Sequence, residues 1–202
     1  MPKHRTVSAA FAALAVAPAL VVGDAATAHA AFPQPVVVHD HFRPFADGVV
    51  AVTYDPAVPA GSHVAVGVVP EPTAADTLGI HPDHAQTEFW VSFNGLLPSR
   101  AYSAHLATGA CGASPADAGP RYQNLVDPVQ PSGDPLYANP ANEMWLDLTS
   151  DESGTAAGET TVPWRVRPGE ARSIVVHGEH THTLPGIAGQ AGARLACVNL
   201  PL

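Results

Sequence analysis

Short runs of alternating or β-branched residues recur along the chain, and turn-forming residues such as Asn94-Gly95 and Ser153-Gly154 separate them. Eight of these runs are predicted as strands: Val49–Tyr54, His63–Val69, Thr87–Phe93, Ala101–Ala107, Glu143–Leu148, Thr160–Val166, Ser173–His177 and Arg194–Val198. No long stretch repeats with the period of a helix. The pattern therefore predicts an all-β fold, an antiparallel sandwich or barrel of about eight strands.

Two parts of the chain give little strand signal. Residues 31–46 contain prolines and read as an irregular N-terminal arm, which precedes a β domain over residues 47–202. Residues 109–142 are rich in Pro, Gly, Asp and Asn and form a predicted long loop. A loop of this length inside a compact domain is typically functional or disordered.

The N-terminus has the pattern of a secretory signal peptide. Lys3 and Arg5 precede an apolar run, and small residues at Ala28 and Ala30 mark a cleavage site that would remove residues 1–30. The alternative is a transmembrane anchor, but Pro18 and Asp24 interrupt the run and leave it short for a bilayer. We expect an exported protein with no membrane association after cleavage.

Charge excludes one class of partner. Lys3, Arg5 and Asp24 lie in the leader, so the remainder has seven basic and seventeen acidic side chains, from nine and eighteen in the whole chain. Binding to phosphate requires clusters of Lys and Arg. The chain is therefore not expected to bind nucleic acid.

The chain contains two cysteines, Cys111 and Cys197. In an exported protein they are expected to form a disulfide, because extracytoplasmic compartments favour oxidation. The alternative is a pair of free buried thiols.

Several segments together resemble the copper/zinc superoxide dismutase family. They are Asn94-Gly95-Leu96, the stretch from Ala104 to Cys111, the stretch from Asp117 to Tyr122, His177, and the stretch from Ala191 to Cys197. The resemblance implies a single-domain Greek-key β-sandwich in which Cys111 and Cys197 are paired. It describes a divergent, exported, bacterial-type member with an incomplete metal site.

The resemblance implies copper ligands at His105 and His177. A second family histidine lies two residues after the first, where both imidazoles share one face of a strand, and this chain has Ala107 there. The family's bridging histidine corresponds to Arg121. A guanidinium keeps its proton and repels a cation, so any copper site is expected to be weak.

Zinc is not expected. No histidine lies between Arg121 and Asp147, where the family places two zinc ligands. Asp147 corresponds to the family's aspartate ligand, but one carboxylate without imidazole or thiolate does not hold zinc.

Arg194 corresponds to the family arginine that guides the superoxide anion to copper. The alternative is a structural arginine that binds the loop around Cys111. His180 and His182 form a dense histidine group with His177 and could supply further copper ligands. The alternative for these two is that they are exposed loop residues, or that they help to hold the loop near Glu179.

Two functional hypotheses follow. The first is an exported dismutase that converts superoxide to oxygen and hydrogen peroxide with copper. The replaced ligands Ala107 and Arg121 argue against this activity, so whether the protein is an enzyme stays open. The second is a non-catalytic secreted domain, or a weak copper-binding protein, on the same scaffold. The sequence does not indicate an oligomeric state.

Overall fold

The computed structural model describes residues 34–71 and 86–202. The leader predicted for residues 1–30 lies outside the described residues. Nine strands occur in this part: Val36–His41 (β1), Ala51–Thr53 (β2), His63–Glu71 (β3), Gln86–Asn94 (β4), Ala101–Ala107 (β5), Trp145–Thr149 (β6), Ala156–Val162 (β7), Ser173–His177 (β8) and Arg194–Asn199 (β9). Apart from a short 3-10 turn at Pro115–Ala118, no helix is present in the described ranges.

The strands form two antiparallel sheets. Sheet A has the order β1-β3-β4-β7, and sheet B has the order β2-β9-β8-β5-β6. Strand β6 at the edge of sheet B contacts β7 at the edge of sheet A. Strand β8 returns to pair with β5. This gives the spatial order 8-5-6-7, which is a Greek key. The predicted all-β Greek-key sandwich is confirmed.

The core lies between the sheets because alternate residues of each strand point inward. In β4, Phe89, Val91 and Phe93 are buried, while Trp90 and Ser92 on the other face are partly exposed. In β5, Tyr102, Ala104 and Leu106 fill the core from sheet B. The alternation recognised in the sequence is therefore the alternation that builds the interior.

The prediction of an irregular arm over residues 31–46 is wrong for residues 36–41, which form β1. This strand lies at the edge of sheet A and pairs with β3 along its whole length, from Val36 opposite Val68 to His41 opposite His63. The strand is stabilised by that pairing, which local sequence does not reveal.

The strand predicted for Thr160–Val166 begins and ends four residues earlier, at Ala156–Val162 (β7). The strand ends at Val162, immediately before Pro163, and not at Val166. Proline has no backbone N–H to donate to the sheet, so it ends the ladder. Near the start of the strand, Gly158 packs closely against the side chain of Leu148, because a Cβ at Gly158 would lie 2.8 Å from Cδ2 of Leu148.

The predicted disulfide is confirmed. Cys111 and Cys197 are bonded with a Cα–Cα distance of 5.6 Å, and the bond fastens the start of the long loop to β9. Within the part of the chain that the structure describes, no helix combines the length and apolar character needed to cross a bilayer.

Candidate functional site

His105 and His177 lie side by side on the outer face of sheet B. Residues of β5 that alternate with its core residues point outward, and these include Ser103 and His105. His177 on β8 is directly opposite Ser103. The two imidazole centroids are 4.8 Å apart, and the residues are only 1% and 7% exposed. The fold thus brings together the two predicted copper ligands.

A chain of hydrogen bonds defines the protonation of His105. The Thr181 hydroxyl donates to Oδ1 of Asp147 at 2.7 Å, so its single proton is used. His105 Nε2 lies 2.8 Å from the same hydroxyl oxygen and must be the donor. Nδ1 of His105 is consequently unprotonated, and it is buried with no hydrogen-bond partner among the described residues.

His177 is oriented by a backbone carbonyl. Its Nδ1 lies 3.4 Å from the oxygen of Gly192, and a carbonyl can only accept a hydrogen bond. The proton is therefore on Nδ1, and Nε2 keeps its lone pair. Each imidazole therefore has one nitrogen that is hydrogen-bonded to the protein and one nitrogen whose lone pair can bind a further group.

Both imidazoles are held neutral. The pKa of His177 is lowered to about 4, chiefly by burial; the hydrogen bond to the Gly192 carbonyl opposes this, and the charges of Arg194 and Arg121 add to the lowering. Burial also lowers the pKa of His105 well below its usual value, with contributions from His177, Arg121 and Arg194. At neutral pH the two lone pairs are available.

Ala107 occupies the next outward position of β5. Its methyl group is buried against Ala118, Val175 and Cys197, and it has no atom able to bind an ion. The backbone of Ala107 forms an isolated antiparallel bridge with Arg121. Ala107 and Arg121 are thus neighbours across the backbone.

The Arg121 side chain is fixed by an ion pair and two carbonyls. Its Nε donates to Oε2 of Glu143 at 2.7 Å, and one terminal nitrogen donates to the carbonyl oxygens of Ser132 and Ala188. Gly189 permits this position, because a Cβ there would collide with the guanidinium. The charge of Arg121 is compensated without a metal or an anion.

Glu143, which is 1% exposed, was not among the predicted site residues. It also accepts hydrogen bonds from Nε2 of Gln123 at 2.6 Å and Nε1 of Trp145 at 2.7 Å, so both oxygens are satisfied. A buried carboxylate requires a partner, but the local sequence does not mark Glu143 as buried. Thr181 was not predicted as a site residue either, although it lies between His180 and His182, which were predicted as possible ligands.

Arg194 contacts the loop that follows Cys111. Its two terminal nitrogens donate to the carbonyl oxygen of Pro115 at 3.0 Å and to that of Gly119 at 2.7 Å. These contacts brace both ends of the 3-10 turn against β9. They favour the structural alternative for this arginine.

His180 and His182 make their hydrogen bonds to residues other than the two buried imidazoles. His180 Nε2 is 2.9 Å from the carbonyl oxygen of Leu148, and His182 Nε2 is 3.3 Å from Oε2 of Glu179. Both histidines are exposed. The contact with Glu179 is the one that the loop alternative anticipates.

Within residues 34–71 and 86–202, no group of three or more His, Cys, Asp or Glu side chains is arranged to hold a metal ion. The fold and site together define an all-β sandwich protein with a buried, neutral histidine pair next to an arginine–glutamate ion pair.

Comparison with known proteins gives one result about structure. No family model matches the chain. No curated protein matches it either. Among solved structures, the chain is similar to the crystal structure of a double mutant of a SOD-like protein from Bacillus subtilis, with a TM-score of 0.49 and 15% sequence identity. The match covers 69% of this chain and 90% of that chain. At this similarity the comparison assigns no activity or ligand to this chain.

Proposed function

We propose that this chain is an exported protein of the copper/zinc superoxide dismutase type that has kept the scaffold and lost the dismutase reaction. The sequence segments that resemble the family support the scaffold. The disulfide and the absence of a membrane-spanning helix within the described ranges are compatible with export. The chemistry of the site argues against the reaction.

The observation that carries this proposal is the Arg121–Glu143 ion pair. Arg121 stands where the family has its bridging histidine, and it is anchored to Glu143 and two carbonyls. A permanent cation cannot coordinate copper, and its field lowers the affinity of the nearby imidazoles for any cation. Because Glu143 compensates the charge, the arrangement is complete without a metal.

The donor set does not fit the family's metals. Dismutation of superoxide requires a copper ion held by imidazoles in both oxidation states, with one open position. Here His105 and His177 provide two nitrogens, and Ala107 provides only a methyl group. The oxygen of Asp147, at the family's zinc position, accepts two hydrogen bonds from Thr181. No catalytic step through copper or zinc is assigned to these residues.

A second candidate function is weak copper binding. It is supported by Nδ1 of His105, which is buried and has no hydrogen-bond partner. Such atoms are uncommon in folded proteins, because an unmade hydrogen bond in the interior costs about 1–3 kcal/mol. Imidazole suits copper, and His177 has a second free nitrogen beside it. The pair could hold copper with less affinity than a full set of ligands.

The test uses the purified protein without a histidine tag. Copper is added, loosely held ions are removed by dialysis, and copper content and the rate of superoxide decay are measured. We expect no acceleration of superoxide decay above that of the His105→Gln/His177→Gln variant. Rapid decay that this variant loses would overturn the proposal. Copper bound by the parent and lost in that variant, without activity, would favour the second candidate.

A further inference from the structure

Three histidines and a tryptophan lie together on the solvent face of sheet A, on the sheet opposite the candidate site. His39 and His41 come from β1, His63 from β3 and Trp90 from β4. The ring centroids of His41 and His63 are 5.2 Å apart, and those of His39 and His63 are 6.1 Å apart. The ring centroids of Trp90 and His39 are 6.5 Å apart.

The register of the strands places these rings. His39 and His41 are two residues apart on an edge strand, so both point to the solvent face, and both are exposed. In the antiparallel pairing, His41 is directly opposite His63. Side chains at such positions are near neighbours.

Small residues of β3 lie beneath the rings. His39 is opposite Ala65, which is 5% exposed. Two positions further along β3, Gly67 lies under the indole of Trp90, and a Cβ at Gly67 would collide with that ring. The positions of β3 between these rings therefore carry no larger side chain that would separate them.

We propose that His39, His41 and His63 form a binding site for a borderline divalent transition-metal ion, of the class of Cu²⁺, Ni²⁺ and Zn²⁺. Imidazole is a favoured ligand of these ions. Three histidines with water at a fourth position are also a known donor set for Zn²⁺. We call this group the sheet A histidine site. The proposal does not depend on the proposed function.

The spacing is close to what one ion requires. Because metal–nitrogen bonds to imidazole are about 2.0 Å long, two imidazoles on one tetrahedral ion have centroids on the order of 5 Å apart. The pair His41 and His63 already meets this, while His39 must approach by a small rotation. In their present side-chain conformations the three do not form a complete metal group. Exposed side chains change rotamer within nanoseconds, so an ion can select the closed arrangement.

The neighbouring carboxylate is used elsewhere. Oδ1 of Asp40 accepts hydrogen bonds from the backbone N–H of His41 and from Arg43. The proposed ligands are therefore imidazoles alone, which favours Cu²⁺ over Zn²⁺ by the usual order of affinity. The competing explanation is that the rings only cover Ala65 and bind no ion.

Fluorescence of tryptophan separates this site from the buried pair. Trp90 lies beside the sheet A histidine site, and Trp145 lies 6.3 Å from the ring of His105. Cu²⁺ quenches nearby indoles. The untagged protein is titrated with Cu²⁺ in two backgrounds that both carry Trp164→Phe, because the chain has three tryptophans. Adding Trp145→Phe leaves Trp90 as the reporter, and adding Trp90→Phe leaves Trp145. We expect stoichiometric, micromolar quenching in the Trp145→Phe background.

Histidine variants identify the ligands. In the Trp145→Phe background, each of His39→Gln, His41→Gln and His63→Gln is expected to weaken Cu²⁺ binding by about tenfold or more, since even indirect partners of a ligand matter that much. The matched control His180→Gln/His182→Gln removes two exposed histidines elsewhere and is expected to change nothing. Thermal unfolding without metal checks that each variant is folded.

Three results would overturn the proposal. Quenching of Trp90 only at millimolar Cu²⁺ would indicate that the rings cover Ala65 and bind no ion. Undiminished quenching in the triple variant of His39, His41 and His63 would place the ion elsewhere. Loss of quenching in the His180→Gln/His182→Gln control would do the same. Zn²⁺ that displaces Cu²⁺ and restores the fluorescence only when it is added in large excess would support the class of ion proposed and its preference for Cu²⁺.

Discussion

Arg121 and Glu143 form a buried ion pair at the centre of the candidate site, with Nε of Arg121 2.7 Å from Oε2 of Glu143. The carboxylate side chain is 1% exposed and the arginine side chain 16%. The pair closes the position that a bridging ligand would occupy in the family that the sequence resembles. It links the loop after Cys111 to the start of β6.

Breaking this pair at Glu143 is expected to destabilise the protein. Glu143→Gln keeps the shape of the side chain and leaves Arg121 without its counter-charge. Removing one partner of a buried pair costs about 3–5 kcal/mol. Because Arg121 is partly exposed, we expect a loss of unfolding free energy of about 3 kcal/mol. Urea denaturation measures it. Glu152→Gln, in an exposed turn, is the matched control, and an equal effect of both variants would contradict the prediction.

The stability of the protein is expected to fall as the pH falls from about 6.5 toward 4. The pKa of His177 is about 4 in the folded protein, below the ordinary histidine value of 6.5. Between these values the unfolded chain binds more protons than the folded one, so acid favours unfolding. The stabilisation is fully present above pH 6.5. For His177 alone the loss from pH 7.5 to pH 5 is about 2 kcal/mol.

Urea denaturation at the two pH values tests this, with His177→Asn as the variant that removes the group. Its stability is expected to change less with pH than that of the parent. His105 contributes in the same direction, because its pKa is also lowered. The exposed His182, replaced in His182→Gln, is the control. A parent and a His177→Asn variant with the same pH dependence would show that His177 is not held neutral by the fold.

The strands and the disulfide could be predicted because their causes are local or general. Alternation of apolar and polar residues along β4 and β5 indicates which face of each strand is buried. The two cysteines of a chain expected to be exported were predicted to form a disulfide. Strand β1 could not be predicted, because it is stabilised by its pairing with β3. Its own sequence has only a weak alternation.

The candidate site was predictable only in part. His105 and His177 follow from the motifs, whereas the partner of Arg121 depends on how the long loop returns to β6. From the sequence, Arg121 was predicted to repel a metal ion through its positive charge. The structure shows that Glu143 compensates it. Likewise, His180 and His182 attracted attention as ligands, while Thr181 between them is the residue that binds His105.

Arg194 is expected to act on the stability of the loop after Cys111. Lysine keeps the charge but places all its donors on one nitrogen, so it lacks the planar fork whose two nitrogens reach the carbonyl oxygens of Pro115 and Gly119. Arg194→Lys is therefore expected to lower the unfolding free energy by about 1–3 kcal/mol and to speed proteolysis within the loop. Arg172→Lys, on an exposed arginine, is the control. Unchanged stability and proteolysis in Arg194→Lys would count against a structural role.

Reduction of the disulfide is expected to destabilise the whole domain. The bond closes a loop with a sequence separation of 86 residues. By the chain-entropy model such a loop contributes about 4 kcal/mol through the unfolded state. The Cys111→Ala/Cys197→Ala variant, compared with the parent in urea, measures the loss. A difference of less than about 1 kcal/mol would mean that the chain is already restricted when unfolded.

Restoring the missing ligands tests whether the ion pair is what separates this site from a copper centre. Replacing Arg121 alone would leave Glu143 as an uncompensated buried carboxylate, which is costly. The structure therefore calls for Ala107→His, Arg121→His and Glu143→Gln together. We expect this triple variant to retain about one more copper per protein after dialysis than the parent, and to accelerate superoxide decay.

The matched control is Ala107→His alone, which adds an imidazole and keeps the cation. It is expected to gain little copper, because Arg121 still lies beside the site, and to lose about 1–3 kcal/mol from crowding against Ala118 and Val175. Copper content and superoxide decay are measured on both variants after their folding is checked by circular dichroism. If the single variant acquires copper as well as the triple variant does, the guanidinium of Arg121 is not the obstacle. The loss of the ligand at position 107 alone would then account for the weakness of the site.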